Sequence, residues 1–469
     1  MSMTPITIGN ATRSYSAFLA SKAIDDPMTG VADVPPLPDC LFPHQRDIVS
    51  WALRRGRAAL FAGTGLGKSL MELAWGQVVN AYTGKPILHL APLAVSAQMV
   101  REARKFGIPA HLGDGDGICI TNYQRLEHFD LSRFGGIILD ESSILKSTDG
   151  HYRNRLIEAS QSVPFRLAAT ATPAPNDFME LGNHAEFLGV MSYTDMLATF
   201  FVHDGGSTQN WRLKGHAENE FWRWMASWAV MLRKPSDLGY PNAGYDLPPL
   251  HYHQHIVGVE YAPSMETGLL FPMQAATLQE RIAARRDTVA DRVKMAAQIT
   301  PTDRPFVWWC NLNAESEGLA KAIHDAVEVR GSDSPEEKER KLVDFSEGRI
   351  RVLVSKPSIC GFGMNWQHCA DTGFVGLNDS FEQFYQAIRR FWRFGQTQQV
   401  NCHIIAAETE GATVNNIKRK EGDADRMAAA MVMHMADLSS ASIRGSVRDR
   451  PDYDPQQPVI IPPFLEIAA

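Results

Sequence analysis

Between residues 57 and 170 the chain places short apolar runs, RAALFA, PILHLA, GICITN, GGIILD and FRLAAT, between stretches of helical spacing. Each run closes on turn-forming residues, and its apolar character on both faces predicts a strand buried from both sides. Strands of that kind alternating with helices predict βαβ units and a parallel sheet. A second series, FVWWCN, IRVLVS, TGFVGL and NCHIIA, follows between residues 306 and 406. From about 177 to 235 the pattern changes to aromatic, helix-like sequence, including ENEFWRWMASWAVMLRKP, which reads as a helical insertion packing its Trp and Met side chains. PNAGYDLPPL reads as a linker, and RIAARRDTVADRVK as a basic helix leading into the second series. The expected organisation is α/β: an extension at 1–38, one parallel-sheet lobe at 39–248, a second at 249–430, and a proline-rich tail at 431–469. No internal repeat accompanies the two halves.

The chain has 469 residues, of which 44% are hydrophobic and 21% charged, which suits several cores and excludes disordered, collagen-like and rod-like classes. With 46 basic and 53 acidic residues the formal net charge is -7, and neither end forms a basic arm. Any nucleic-acid contact must then rest on a local track rather than on the overall field. The six cysteines, Cys40, Cys119, Cys310, Cys360, Cys369 and Cys402, form no CxxC pair and several sit in strand-like runs, so they are expected as buried thiols in a reducing compartment. The start, MSMTPITIGNATRSYS, has no charged-then-apolar leader, and no apolar run approaches a membrane span of about 18 residues. A cytoplasmic chain without membrane contact is expected.

RAALFAGTGLGKSLMEL puts a glycine-rich loop between a strand and a helix. The strict phosphate-loop pattern begins with Gly, where this chain has Ala62. Gly63, Thr64, Gly65, Leu66 and Gly67 would wrap backbone N–H groups around phosphate oxygens at a helix N-terminus. Lys68 would neutralise the phosphates and Ser69 would ligate Mg²⁺. GGIILDESS ends a strand with Asp140 and Glu141. At the carboxyl end of a parallel strand, Asp140 suits a Mg²⁺ site and Glu141 the polarisation of an attacking water.

With these residues in order, the chain resembles superfamily 2 helicases over roughly residues 40–410, and within them the Snf2-like translocases of compact prokaryotic or phage type. LFPHQRDIVSWAL resembles the adenine-recognition segment, with Gln45 as its glutamine. AGTGLGKS, APLAVSAQ, TNYQRL, DESS and TATPAPN resemble motifs I, Ia, Ib, II and III, and CGFGMNWQ and YQAIRRFWRFGQ resemble motifs V and VI. MLRKPSDLG followed by LPPL is similar to the stretch that closes the first Snf2 lobe. The resemblance implies two RecA-like lobes with an ATP cleft between them, Gly363 at the nucleotide, and Arg390 and Arg393 as fingers reaching the γ-phosphate. Arginine suits that task because it stays charged and its fork matches phosphate oxygens.

The same resemblance implies a nucleic-acid track through Pro92, Thr121, Asn122, Thr170, Thr172, Cys310, Asn311 and Asn365. Small hydroxyl and amide groups suit backbone contacts that position without reading sequence. Arg101, Arg104, Lys105, Lys146 and Arg389 add charge to it. HYHQH puts His251, His253 and His255 on one strand face, and His403 stands in a later strand; without accompanying carboxylate or cysteine these read as packing or surface residues rather than a metal set. The expectation is an ATP- and Mg²⁺-dependent motor, stimulated by nucleic acid and translocating on duplex DNA. Two alternatives stand beside it. One is a strand-separating helicase acting on DNA or RNA. The other is an ATP-controlled binding subunit that recruits a methyltransferase or nuclease, with the tail as its docking segment.

Overall fold

The computed structural model describes residues 28–443 apart from 147–149, 175–176, 204–210, 243, 259–285, 361–364, 378–379 and 409–410. The first lobe runs α1 (Pro43–Arg55), β1 (Arg57–Ala62), α2 (Lys68–Thr83), β2 (Ile87–Ala91), α3 (Leu93–Lys105), β3 (Ala110–Leu112), β4 (Ile118–Asn122), β5 (Gly136–Asp140), α4 (Gly150–Ser160) and β6 (Phe165–Thr170). After it come α5 (Leu181–Leu188), α6 (Tyr193–Phe200), the hairpin β7 (Phe201–His203) and β8 (Trp211–Leu213), α7 (Glu218–Trp228) and β9 (Ala229–Leu232). The sheet order is β3-β4-β2-β5-β6-β1-β9, with every pairing parallel. Alternate residues serve opposite faces: Phe61, Leu88 and Leu139 enter one apolar cluster, Leu60, Ile87 and Ile138 the other. That two-sided burial is why these strands read as continuous apolar runs.

The second lobe runs β10 (Leu250–Val257), α8 (Val289–Ile299), β11 (Phe306–Cys310), α9 (Asn313–Ala322), β12 (Ala326–Glu328), α10 (Pro335–Ser346), β13 (Val352–Ser355), α11 (Pro357–Cys360), β14 (Asp371–Val375), α12 (Phe381–Ile388), β15 (Val400–Ala407) and α13 (Gly411–Ile443). Its sheet, β10-β15-β14-β11-β13-β12, is also parallel throughout.

Three expectations are revised, and one strand reading is extended. The aromatic run is helical only to Trp228, because Ala229–Leu232 pairs in parallel with β1 and closes the first sheet. HYHQH lies in a strand as its alternation implies; that strand, β10, pairs with β15 along its whole length. Residues 431–443, expected in an extended tail, continue α13; residues 444–469 lie outside the described residues. Cys40 is exposed, while Cys119, Cys310, Cys360, Cys369 and Cys402 are buried.

Helix α13 leaves the second lobe and packs on the first. Met431 and Met435 enter the cluster beneath α7, Ile443 enters the opposite cluster, and the Trp51 indole N–H donates to Ser442 at 2.9 Å. In doing so it lies along β9. An edge strand would otherwise present an unpaired row of backbone groups, and a covering helix protects it. Among the described residues no helix is long and apolar enough to cross a membrane.

Candidate functional site

Strand β1 ends at Ala62 and the chain turns through Gly63–Gly67 into α2. Gly65 and Gly67 take φ of +88° and +76°, the left-handed region that a Cβ disfavours. The turn is tight on both sides. A Cβ on Gly65 would lie 2.9 Å from the Phe394 backbone nitrogen of the second lobe, and one on Gly67 would lie 2.3 Å from Gln45 Nε2. Lys68 Nζ donates to the Ala62 carbonyl at 2.9 Å, so its ammonium lies over the loop, and Ser69 follows in the first turn of α2.

Asp140 and Glu141 stand at the end of β5, two strands from β1 in the sheet with β6 between. Asp140 is buried; its Oδ1 accepts the Glu141 N–H at 3.0 Å, and its carbonyl accepts the Tyr123 hydroxyl at 2.6 Å. Burial, with the Glu72 and Glu141 carboxylates beside it, raises the Asp140 carboxyl well above its ordinary range. Such a group gains from a cation. Glu141 has φ +52°, rare for a side chain of this kind and of a sort that concentrates at functional sites. Its carboxylate accepts from Thr170 Oγ1 at 3.4 Å and, across the cleft, from Gln386 Nε2 at 3.3 Å.

The second lobe brings its arginines to the same place. Arg390 is buried, and burial together with the Arg393 guanidinium lowers it to about 9; the Glu141 and Asp140 carboxylates act on it in the opposite sense. Burial lowers Arg393 to about 10. Both remain cationic at neutral pH. Gln386 joins the lobes: its amide donates to Glu141, its Oε1 accepts from Arg390 at 3.5 Å, and its main-chain carbonyl accepts Arg390 Nε at 3.3 Å. Ser143 Oγ donates to Glu382 at 2.7 Å, a second bridge between lobes.

The structure therefore brings the loop, the acidic pair and the two arginines to one cleft. Gly363 lies outside the described residues. Gln45 sits at the loop, but its amide is engaged there: Nε2 donates to the Leu66 carbonyl at 2.9 Å and Oε1 accepts the Phe42 N–H at 3.0 Å. Thr170 and Thr172 are buried and linked to each other and to Glu141, which places them in the cleft network rather than on an open surface. Thr121 and Cys310 are buried, Pro92, Asn122 and Asn311 half-buried, and Asn365 exposed. Arg104 and Lys105 are exposed on α3; Arg101 pairs across the lobes with Glu339 of α10. The side chain of Lys146 lies outside the described residues. Arg389 is held between the Tyr385 and Trp392 rings, at 4.8 and 4.3 Å, on the wall of a cavity of about 1020 Å³ that reaches the loop at Gly63 and Leu66. His255 Nε2 and His403 Nδ1 are 3.0 Å apart and His253 contacts Asn401, so these rings partner one another and the strand edge.

Two features escaped sequence reasoning. Gln386 stands in YQAIRRFWRFGQ four residues before Arg390, a helical spacing that signals a shared face. Glu72 and His89 form a fully buried pair at 3.0 Å behind the loop; burial raises Glu72 to about 8 and lowers His89 to about 4. Only the pairing of α2 with β2 reveals them, because each stands alone in an apolar run.

No known family model matches the chain. The chain is similar to protein p41 of Acyrthosiphon pisum secondary endosymbiont phage 1, with 24% identity over 447 residues, covering 78% of this chain and 93% of that protein. That name carries no activity.

Proposed function

We propose that this chain is an ATP-hydrolysing motor of the Snf2-like helicase type, Mg²⁺-dependent and stimulated by nucleic acid, that translocates on duplex DNA. The observation that carries the reading is the convergence of Lys68, Asp140 and Glu141 from one lobe with Arg390 and Arg393 from the other. The residues fit the groups they would hold. The left-handed Gly65 and Gly67 turn the chain into the N-terminus of α2, where backbone N–H groups suit phosphate, and the buried Asp140 carboxyl suits a divalent cation, with Ser69 as the second ligand that the resemblance implies. When bound there, Mg²⁺ supplies charge neutralisation for the β- and γ-phosphates.

The chain's own residues do the rest. Loop N–H groups at the start of α2 orient the phosphates, and Lys68 exchanges the Ala62 carbonyl for phosphate oxygen. Glu141, fixed by Thr170 and Gln386, orients the attacking water and accepts its proton. Arg390 and Arg393 stabilise the charge that builds on the transferred group. Because the arginines lie in the second lobe, turnover requires closure, and closure can move backbone contacts along a strand.

Phosphate release is to be measured with single-stranded DNA, duplex DNA of increasing length and RNA, at two salt concentrations because phosphate contacts are salt-sensitive. Stimulation that grows with duplex length is expected for a translocase. Lys68→Ala and Glu141→Gln are expected to abolish turnover. Wild-type turnover in either variant would overturn the mechanism.

A further inference from the structure

Two cations on the wall of the interlobe cavity have bonding capacity left over. Arg389 is gripped by the faces of Tyr385 and Trp392, and Lys234 is exposed; among the described residues the side chain of neither bonds to a carboxylate. The acids on the same wall are engaged. Glu421 accepts the Tyr252 hydroxyl at 2.6 Å, Asp425 pairs with Arg233 at 3.6 Å, and Asp246 accepts the Asn242 amide at 3.1 Å. Asp237 accepts the backbone N–H groups of Arg233 and Lys234 at 2.6 and 3.0 Å. Beside the cations the lining is aromatic. Tyr245 and Phe394 have ring centroids 4.5 Å apart, and Phe42 lies edge-on to both at 6.2 and 6.1 Å with 46% of its surface exposed. Rings set at differing angles make a corrugated apolar wall. Proline-rich segments fit such walls, because the polyproline helix is stiff before it binds and prolines spaced P-x-x-P fall on one of its faces.

The chain carries a segment of that kind. Residues 451–464, PDYDPQQPVIIPPF, hold five prolines, with Pro455 and Pro458 at P-x-x-P spacing, carboxylates at Asp452 and Asp454, and no Lys or Arg. The point from which they start is fixed. Ile443 is buried against the first lobe, its carbonyl accepts from Arg54 at 3.5 Å, and Ser442 accepts from Trp51. Helix α13 therefore stops at the C-terminal end of α1, whereas Phe42 caps the N-terminal end of the same helix. About 18 Å of helix separates Phe42 from Arg54. The seven residues 444–450 reach up to about 23 Å when extended, enough to return along α1 to the aromatic wall.

We propose that residues 451–464 fold back along α1 and dock in the interlobe cavity of their own chain, with prolines against Tyr245 and Phe394 and the Asp452 and Asp454 carboxylates on Arg389 and Lys234. The docked segment touches the first lobe, the linker and the second lobe at once. Since the cavity reaches Gly63, Thr64 and Leu66, the segment and a nucleotide compete for its mouth, a consequence that rests on the nucleotide-binding reading of the cleft.

The test places a photo-crosslinker in the tail of the full chain, p-benzoylphenylalanine in place of Tyr453, and maps its products by mass spectrometry. The expected result is a cross-link within one chain to peptides bearing Tyr245, Trp392 or Phe394, at a yield independent of protein concentration. Pro455→Ala combined with Pro458→Ala, and separately Arg389→Gln, are each expected to lower that yield at least about fivefold, the equivalent of roughly 1 kcal/mol. The proline pair lies outside the lobes in sequence, so its effect is separable from their folding. No cross-link, cross-links elsewhere on the chain, links that form only between copies, or a yield unchanged in both variants would overturn the inference. These outcomes are scored without nucleotide and do not depend on hydrolysis. An ATP analogue with Mg²⁺ is then expected to suppress the cross-link. A bound analogue that leaves the yield unchanged would overturn the competition, and an analogue that fails to bind would count against the nucleotide-binding reading alone.

Discussion

Replacing Gln386 tests whether the two lobes act on one reaction. The side chain is 2% exposed and links Glu141 to Arg390 through contacts of 3.3 and 3.5 Å. Hydrogen bonds to charged groups contribute about 1.5–3 kcal/mol each, but both contacts are long, so about 2 kcal/mol for the pair is the reasonable figure. Since each 1.4 kcal/mol is a factor of ten in rate, Gln386→Met is expected to lower kcat about 30-fold. Methionine keeps the volume, which separates loss of the bridge from loss of packing. KM for nucleotide should change little, because the hydrogen bonds of Gln386 go to Glu141 and Arg390. Steady-state phosphate release at saturating DNA measures the effect, and the melting temperature controls for folding. A kcat within threefold of wild type at unchanged melting temperature would show that Glu141 and Arg390 do not work through this residue.

The buried pair behind the loop predicts a pH effect on stability. Glu72 titrates near 8 in the folded chain against an ordinary 4.5, so folding holds an extra proton between those values and stability falls as pH rises through that window. His89, near 4 instead of 6.5, acts in the opposite sense below 6.5, so the net loss should show between about pH 6.5 and 8. Glu72→Gln should flatten melting temperature against pH over that range, and an unchanged slope would remove Glu72 as its source. Met435, fully buried against the first lobe, should cost about 2–5 kcal/mol when changed to Ala, measurable by urea unfolding. A cost below 0.5 kcal/mol would mean that α13 does not pack as described.

The nine apolar runs were legible as strands because a parallel sheet buries both faces; the loop and the acidic pair were legible because they stand at strand ends, whereas Arg390 and Arg393 follow α12 and were legible only through the resemblance of YQAIRRFWRFGQ. What the chain hid is instructive. Ala229–Leu232 continues the apolar character of α7 without a break, so only pairing with β1 shows where the helix stops. Leu250–Val257 carries four polar residues, because an edge strand exposes much of itself, and its membership in the sheet depends on β15. Gln45 was readable as a site residue, but not that its amide serves the loop, since that depends on Leu66 lying 2.9 Å away. Helix α13 was invisible for the same reason: Met431 and Met435 look like an ordinary helical stripe until the first lobe supplies the surface they fill.

Helix α13 gives the molecule a lever. The chain crosses between lobes twice, through the linker after β9 and through α13 lying along β9, and both crossings fall at the same end of the two sheets, marked by β9 and β10. Rotation about that end multiplies with distance across the strands, which are spaced about 4.8 Å apart. Strand β1, which carries the glycine-rich loop, is one step from the axis, and β4, whose end bears Thr121 and Asn122, is five. On that geometry an opening of about 1 Å at the loop would become about 5 Å at β4, on the far rim where Arg101 meets Glu339.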